Sequence, residues 1–141
     1  MSHVDIKEYE KAVVDCLWTL QMVEMSLKLS IKQFHGIITE KVEDLFPYNP
    51  PLKSIETAAM GRLIEFYKQF SDDNALIQDL KNLTKMRNEI AHGAFLVHSE
   101  YIDTFPKDAL DKVSEANELA QTCMIALVDE HVQTHKDNKD A

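Results

Sequence analysis

From Ile6 onward, apolar residues recur at alternating three- and four-residue steps: Tyr9, Val13, Cys16, Leu20, Val23, Leu27, then Ser30, Phe34 and Ile37. That spacing lines one face of an α-helix seeking a partner. It predicts a first helix beginning near position 4 that kinks or stops at His35-Gly36, since glycine weakens a helix interior by about 1 kcal/mol. A short extra helix over 37–45 then runs into Phe46-Pro47-Tyr48-Asn49-Pro50-Pro51, where three prolines enforce a loop. A second helix is expected over 52–70, with Ile55, Ala59, Leu63, Phe66 and Phe70 inward. Ser71-Asp72-Asp73-Asn74 reads as a turn offering N-caps. A third helix follows over 74–92, with Leu76, Leu80, Leu83 and Ile90 on its stripe and Gly93 ending it in a left-handed cap. A connector over 94–105 leads to Pro106, a helix-starting proline, and to a fourth helix with Leu110, Val113, Ala120, Met124 and Leu127 inward. Residues 136–141 read as a frayed tail. Strand-like alternation is sustained nowhere, so the expectation is an all-α, antiparallel four-helix bundle forming a single domain over 1–141.

Composition narrows the class. A hydrophobic share of 45% and a charged share of 28% fit a packed globular chain. The first residues show no basic region followed by an apolar run, so no secretory signal is expected. The apolar stretch 16–23 is too short to cross a bilayer, so no membrane partner is expected. Cys16 and Cys123 both fall on apolar stripes, which points to buried free thiols in a reducing, cytoplasmic setting. Trp18, Met22 and Met25 lie off the main stripe of the first helix and suggest a second contact surface, for which a homodimer is the natural use. The net charge of −9 argues against general affinity for nucleic acid or anionic membranes. It leaves room for a local basic site, and residues 51–100 are close to charge balance.

One run stands out there: Arg87-Asn88-Glu89-Ile90-Ala91-His92. At about 100° per residue, Leu80 and Leu83 fall within about 40° of Arg87, so an arginine occupies a position where a leucine is expected. Left unpaired in a core, a guanidinium there would cost several kcal/mol; it must reach a partner, the bundle edge or a bound anion. Asn88 and His92 share a neighbouring face with Lys81 and Lys85. Guanidinium forks onto phosphate oxygens and imidazole moves protons near neutral pH, so this set suits a phosphodiester. The expected helix end at Gly93 places His92 where the helix dipole favours its protonated form, while nearby lysine and arginine charges oppose it. The bland account is also open: arginine and asparagine late in a helix can pair with carboxylates of a neighbour, and a histidine before a terminal glycine can cap carbonyls.

Arg87-Asn88-x-x-x-His92 followed by Gly93, on the third helix of a predicted four-helix bundle, resembles the HEPN superfamily. Gly61-Arg62-Leu63-Ile64 and the stretch Leu76 to Leu83 are also similar to that family. The resemblance implies a metal-independent endoribonuclease of the toxin or defence type, acting as a homodimer whose facing motifs form a composite cleft on RNA. Under it Arg87 holds the scissile phosphate and His92 transfers the proton that assists 2′-hydroxyl attack or leaving-group departure. Asn88 positions the pair or the phosphate, and Lys81 and Lys85 attract RNA. No cofactor is called for, because the 2′-hydroxyl supplies its own nucleophile. A non-catalytic helical module that binds a protein partner, such as an antitoxin or defence assembly, is the competing expectation, and a nucleotide-binding regulator is a third.

Other residues carry less chemistry. His131-x-x-x-His135 has chelating spacing, but no ligand cluster supports a metal site. His35 and His98 fall in expected breaks and read as exposed loop histidines. Neither cysteine has a Cys-x-x-Cys partner, and no phosphate-cradling glycine loop is present. Asn117 and His131, on the inner stripe of the fourth helix, read as second-layer partners for the third helix or as hydrogen-bonded, partly exposed residues.

Overall fold

A computed structural model describes residues 3–100 and 104–140, with side chains described outside 3–4, 94–106 and 140. It is all-α in class. Its elements are β1 (His3–Asp5), α1 (Ile6–Val42), α2 (Leu52–Thr57), α3 (Met60–Lys68), α4 (Asn74–Glu100), β2 (Thr104–Pro106) and α5 (Lys107–Asp140).

Helix α1 begins where Asp5 accepts a 3.0 Å hydrogen bond from the Lys7 amide, satisfying one of the orphan donors of the first turn. It then runs unbroken for 37 residues through His35 and Gly36, so the expected kink and the separate helix over 37–45 are absent. Burial outweighs the propensity cost of Gly36: Ile31 and His35 are buried and Phe34 packs against the core. His35 is accordingly not a loop residue. Its Nδ1 shares a 2.6 Å hydrogen bond with the Tyr48 hydroxyl and its ring meets Phe70 edge-on, which ties the proline loop to α1. His98 also departs from expectation, since its backbone lies within α4; its side chain is outside the described set.

The expected second helix is divided. Ala58 and Ala59 adopt extended backbone between α2 and α3. Neither glycine nor proline causes the break; packing does. Ile55, Ala58 and Met60 are all buried, and a two-residue step from 58 to 60 cannot be met on one helical face. The break also rotates the stripe, so Ile64 and Tyr67 are buried while Ala59, expected inward, is exposed. Lys28 donates to the Glu56 carbonyl at 2.8 Å and Lys32 pairs with the Glu56 carboxylate, clamping α2 onto α1.

Helix α4 starts where expected, with Asp73 accepting from the Leu76 amide at 3.1 Å. It does not end at Gly93 but continues to Glu100, so Gly93 is a helix-interior residue without left-handed backbone, and much of the expected connector is helix. Pro106 immediately precedes α5. That helix extends to Asp140, through most of the expected tail.

The topology departs from a simple antiparallel succession. Gln33 donates to the His131 carbonyl and Asn138 to the Glu40 carboxylate, both across 98 positions, so α1 and α5 run in the same direction. The β1–β2 ladder, antiparallel with Val4 opposite Phe105, sets their starting ends side by side. Helix α4 runs the other way: Phe70, just before it, stacks on Phe34, and Gly93 lies against the Tyr9 hydroxyl. The core fills the space among these helices, with Leu20, Val23 and Leu27 of α1, Leu80 and Leu83 of α4, and Ala116, Ala120, Cys123 and Leu127 of α5.

Both cysteines are buried and unbonded, as the stripes predicted. Burial, helped by the Asp79 charge, pushes the Cys123 thiol up to about 11. Burial likewise holds the His35 imidazole below its ordinary range. An unfolded chain therefore takes up a proton that the folded chain refuses as pH falls through about 6.5, and stability present above that pH is lost below it. The urea midpoint is expected to fall between pH 7.5 and 5.5, with a smaller fall in His35→Gln; equal slopes in the two proteins would remove His35 as the cause.

Candidate functional site

Helix α4 carries the motif, and its neighbours determine what the motif faces. Leu76, Ile77, Leu80, Leu83 and Ile90 are buried in helical phase. Arg87 shares that phase yet is only half-buried, and Ala91, one turn on, is exposed. The reason lies in α3. Nine residues of helix span about 13 Å, against about 40 Å for α4, and the turn after Lys68 joins the two at the start of α4. So α3 covers only the first part of α4 and leaves the part around Arg87 open on that side.

Among the described residues, Arg87 has neither an ion pair nor a hydrogen bond. The guanidinium on the leucine phase thus reaches the open edge and is not held by a carboxylate of a neighbouring helix. Asn88 and His92 are exposed, as are Lys85 and Lys81, one and two turns before Asn88. Asn88, His92, Lys81 and Lys85 therefore share one accessible edge of α4, while Arg87 lies about 100–160° round the helix from them, at the border of the core stripe. One expectation about them is corrected: α4 continues beyond Gly93, so His92 is not in a last turn.

The opposite edge of α4 is different. A cavity of about 540 Å³ lies between α4, α5 and the start of α1, with Met86, Ile90, Val113 and Tyr9 among its walls, and Glu89, Asp108 and Glu115 outweigh Lys112 in the charge brought to it. Arg87, Asn88 and His92 do not line it. Glu89, inside the motif in sequence, belongs to this acidic side. Basic and acidic functions are divided between two edges of one helix, which sequence periodicity alone did not reveal because α5's register against α4 was unknown.

Asn117 and His131 do not join the motif. They are half-buried on α5, where the Asn117 Oδ1 and His131 Nδ1 atoms are buried without partners among the described residues. His131 lies beside Gln33 through its carbonyl. Among the described residues no group of three or more His, Cys, Asp or Glu side chains is gathered in a way that could hold a metal ion. No helix among them is long and apolar enough to cross a membrane.

Comparison with protein-family models, curated proteins and solved structures finds no match to this chain.

The interior position of Gly93 has a measurable consequence. A Cβ there would lie 3.5 Å from the Tyr9 hydroxyl, ordinary van der Waals contact, and the backbone is not left-handed. Gly93→Ala is therefore expected to stabilise the fold by about 0.5–1 kcal/mol in urea unfolding. A left-handed cap would give the opposite sign.

Proposed function

We propose that this chain is a metal-independent endoribonuclease of the HEPN type, with Arg87, Asn88 and His92 as its reacting edge. The observation that carries the reading is the half-buried Arg87, on the core phase of α4 but without an acidic partner among the described residues, with Asn88 and His92 exposed on the neighbouring face. A guanidinium so placed is available to an incoming anion. Arg87 grips the scissile phosphate through paired N–H donors and offsets the charge that grows on its oxygens. His92 moves the proton between the 2′-hydroxyl and the leaving oxygen, and Asn88 orients the phosphate by its amide. The 2′-hydroxyl attacks phosphorus, the P–O5′ bond breaks, and a 2′,3′-cyclic phosphate and a 5′-hydroxyl end result.

In this reading α2 and α3 together form one broken leg of a four-helix arrangement. Two copies bring their α4 edges together to form the cleft, so that Lys81 and Lys85 from each attract an RNA that the net charge of −9 would otherwise repel. Two free buried thiols suit a reducing cytoplasm.

Purified protein is expected to cleave single-stranded RNA in excess EDTA, leaving cyclic-phosphate ends. Arg87→Ala and His92→Ala each lower the rate by about 10²-fold or more with the helical circular dichroism unchanged. Lys81→Ala/Lys85→Ala weakens RNA binding more than turnover. Intact RNA with wild-type protein, or full activity in His92→Ala, overturns the enzyme and returns the chain to a binding module.

A further inference from the structure

The core explains one face of α1, but a second apolar series runs along its outer side. Trp18 (67% exposed), half-buried Met22, Met25 and Leu29 (55% exposed) follow four-, three- and four-residue steps, the spacing that seats one helix against another. On α5, Ile125 (58% exposed), Val128 and Val132 form a matching exposed series. The parallel register of the two helices makes these one surface. With Gln33 beside His131, Leu29 falls level with Leu127, so the α5 series continues the α1 series across the shared seam. Ser26 and Gln121, which fall among these residues by helical phase, are uncharged.

We propose that a second copy of this chain docks on the α1–α5 face. Area supports that occupant. At about 25 cal/mol per Å², a burial worth about 1.5–3 kcal/mol corresponds to about 60–120 Å² per aliphatic side chain. An aromatic one offers about 150–250 Å². At the exposures observed, the face presents on the order of 400 Å² of apolar surface. That is close to the apolar part of a standard interface of about 800 Å² per partner. Charge supports it as well. Copies of a chain at −9 repel one another wherever their acidic surfaces meet, and a face whose centre is uncharged, with Asp15 and Asp129 at its rim, lets them approach. A partner recruited by opposite charge would instead choose the acidic surface. The motif edge belongs to α4 and takes no part in this face, so the contact is separate from the one in which two α4 edges would meet, and it holds whether or not the chain cleaves RNA.

Trp18 is the chain's single tryptophan and reports directly on the face. Its emission is expected to be blue-shifted at 50 µM and to move red on dilution. Sedimentation should give a wild-type mass at least twice 16.2 kDa, halved in Leu29→Glu with unchanged circular dichroism. Val128→Glu, on the other helix, should do the same and covers the case in which Leu29→Glu fails to fold. A solvent-like Trp18 emission at every concentration, or wild-type mass in a folded Leu29→Glu or Val128→Glu protein, overturns the proposal. Because the readout is mass and emission, loss of RNA cleavage alone does not bear on it.

Discussion

The close parallel contact of α1 with α5, the most extensive between two helices among the described residues, is the constraint on which the other elements depend. Its chemistry is asymmetric. On α5 the buried positions Ala116, Ala120 and Cys123 are small, so the backbone of α5 can approach closely while Leu20, Val23 and Leu27 of α1 supply the volume. Side-chain hydrogen bonds then fix the far register, from Gln33 to the His131 carbonyl and from Asn138 to Glu40. The β1–β2 ladder fixes the near end. Two long helices starting together and held in parallel leave α4 one direction in which to run, back along the groove between them.

Placement of the site follows from that arrangement and from the brevity of α3. The Tyr67 hydroxyl lies 2.6 and 2.7 Å from the carboxylate oxygens of Glu130, and Phe34 stacks on Phe70, so α3 is anchored toward the far end of α1 and α5. The lower part of α4 therefore lacks a neighbour on one side, and an arginine can sit on the leucine phase without being sealed in. In a longer α3, the same residue would be a buried charge in need of a carboxylate. On the other side of α4 the start of α5 closes over Met86 and Ile90 and gathers Glu89, Asp108 and Glu115 with Lys112, so that edge of α4 is acidic on balance while the motif edge is basic.

The outer face of α1 and α5 shows the same division of labour on a larger scale. A 37-residue helix with one apolar stripe buried and a second left bare has more packing capacity than its own domain uses. The off-stripe positions of Trp18, Met22 and Met25 were legible in the spacing, but the α5 half of the face was not. Ile125, Val128 and Val132 join it only because α5 lies parallel to α1 in one particular register.

Periodicity alone determined the helical class, the burial of both cysteines, the Asp73 start of α4 and the shared phase of Asn88, His92, Lys81 and Lys85, because each depends on 3.6-residue geometry or on local capping. Tertiary structure decided the rest. The continuation of α1 through Gly36 and the break at Ala58 follow the burial of His35, Met60 and their neighbours, whose packing energy exceeds the single kcal/mol at which local signals act, and α4 runs on through Gly93. The direction of α5, the open side at Arg87 and the separation of basic from acidic edges depend on which helices touch, and a one-dimensional pattern records a face without naming what lies against it.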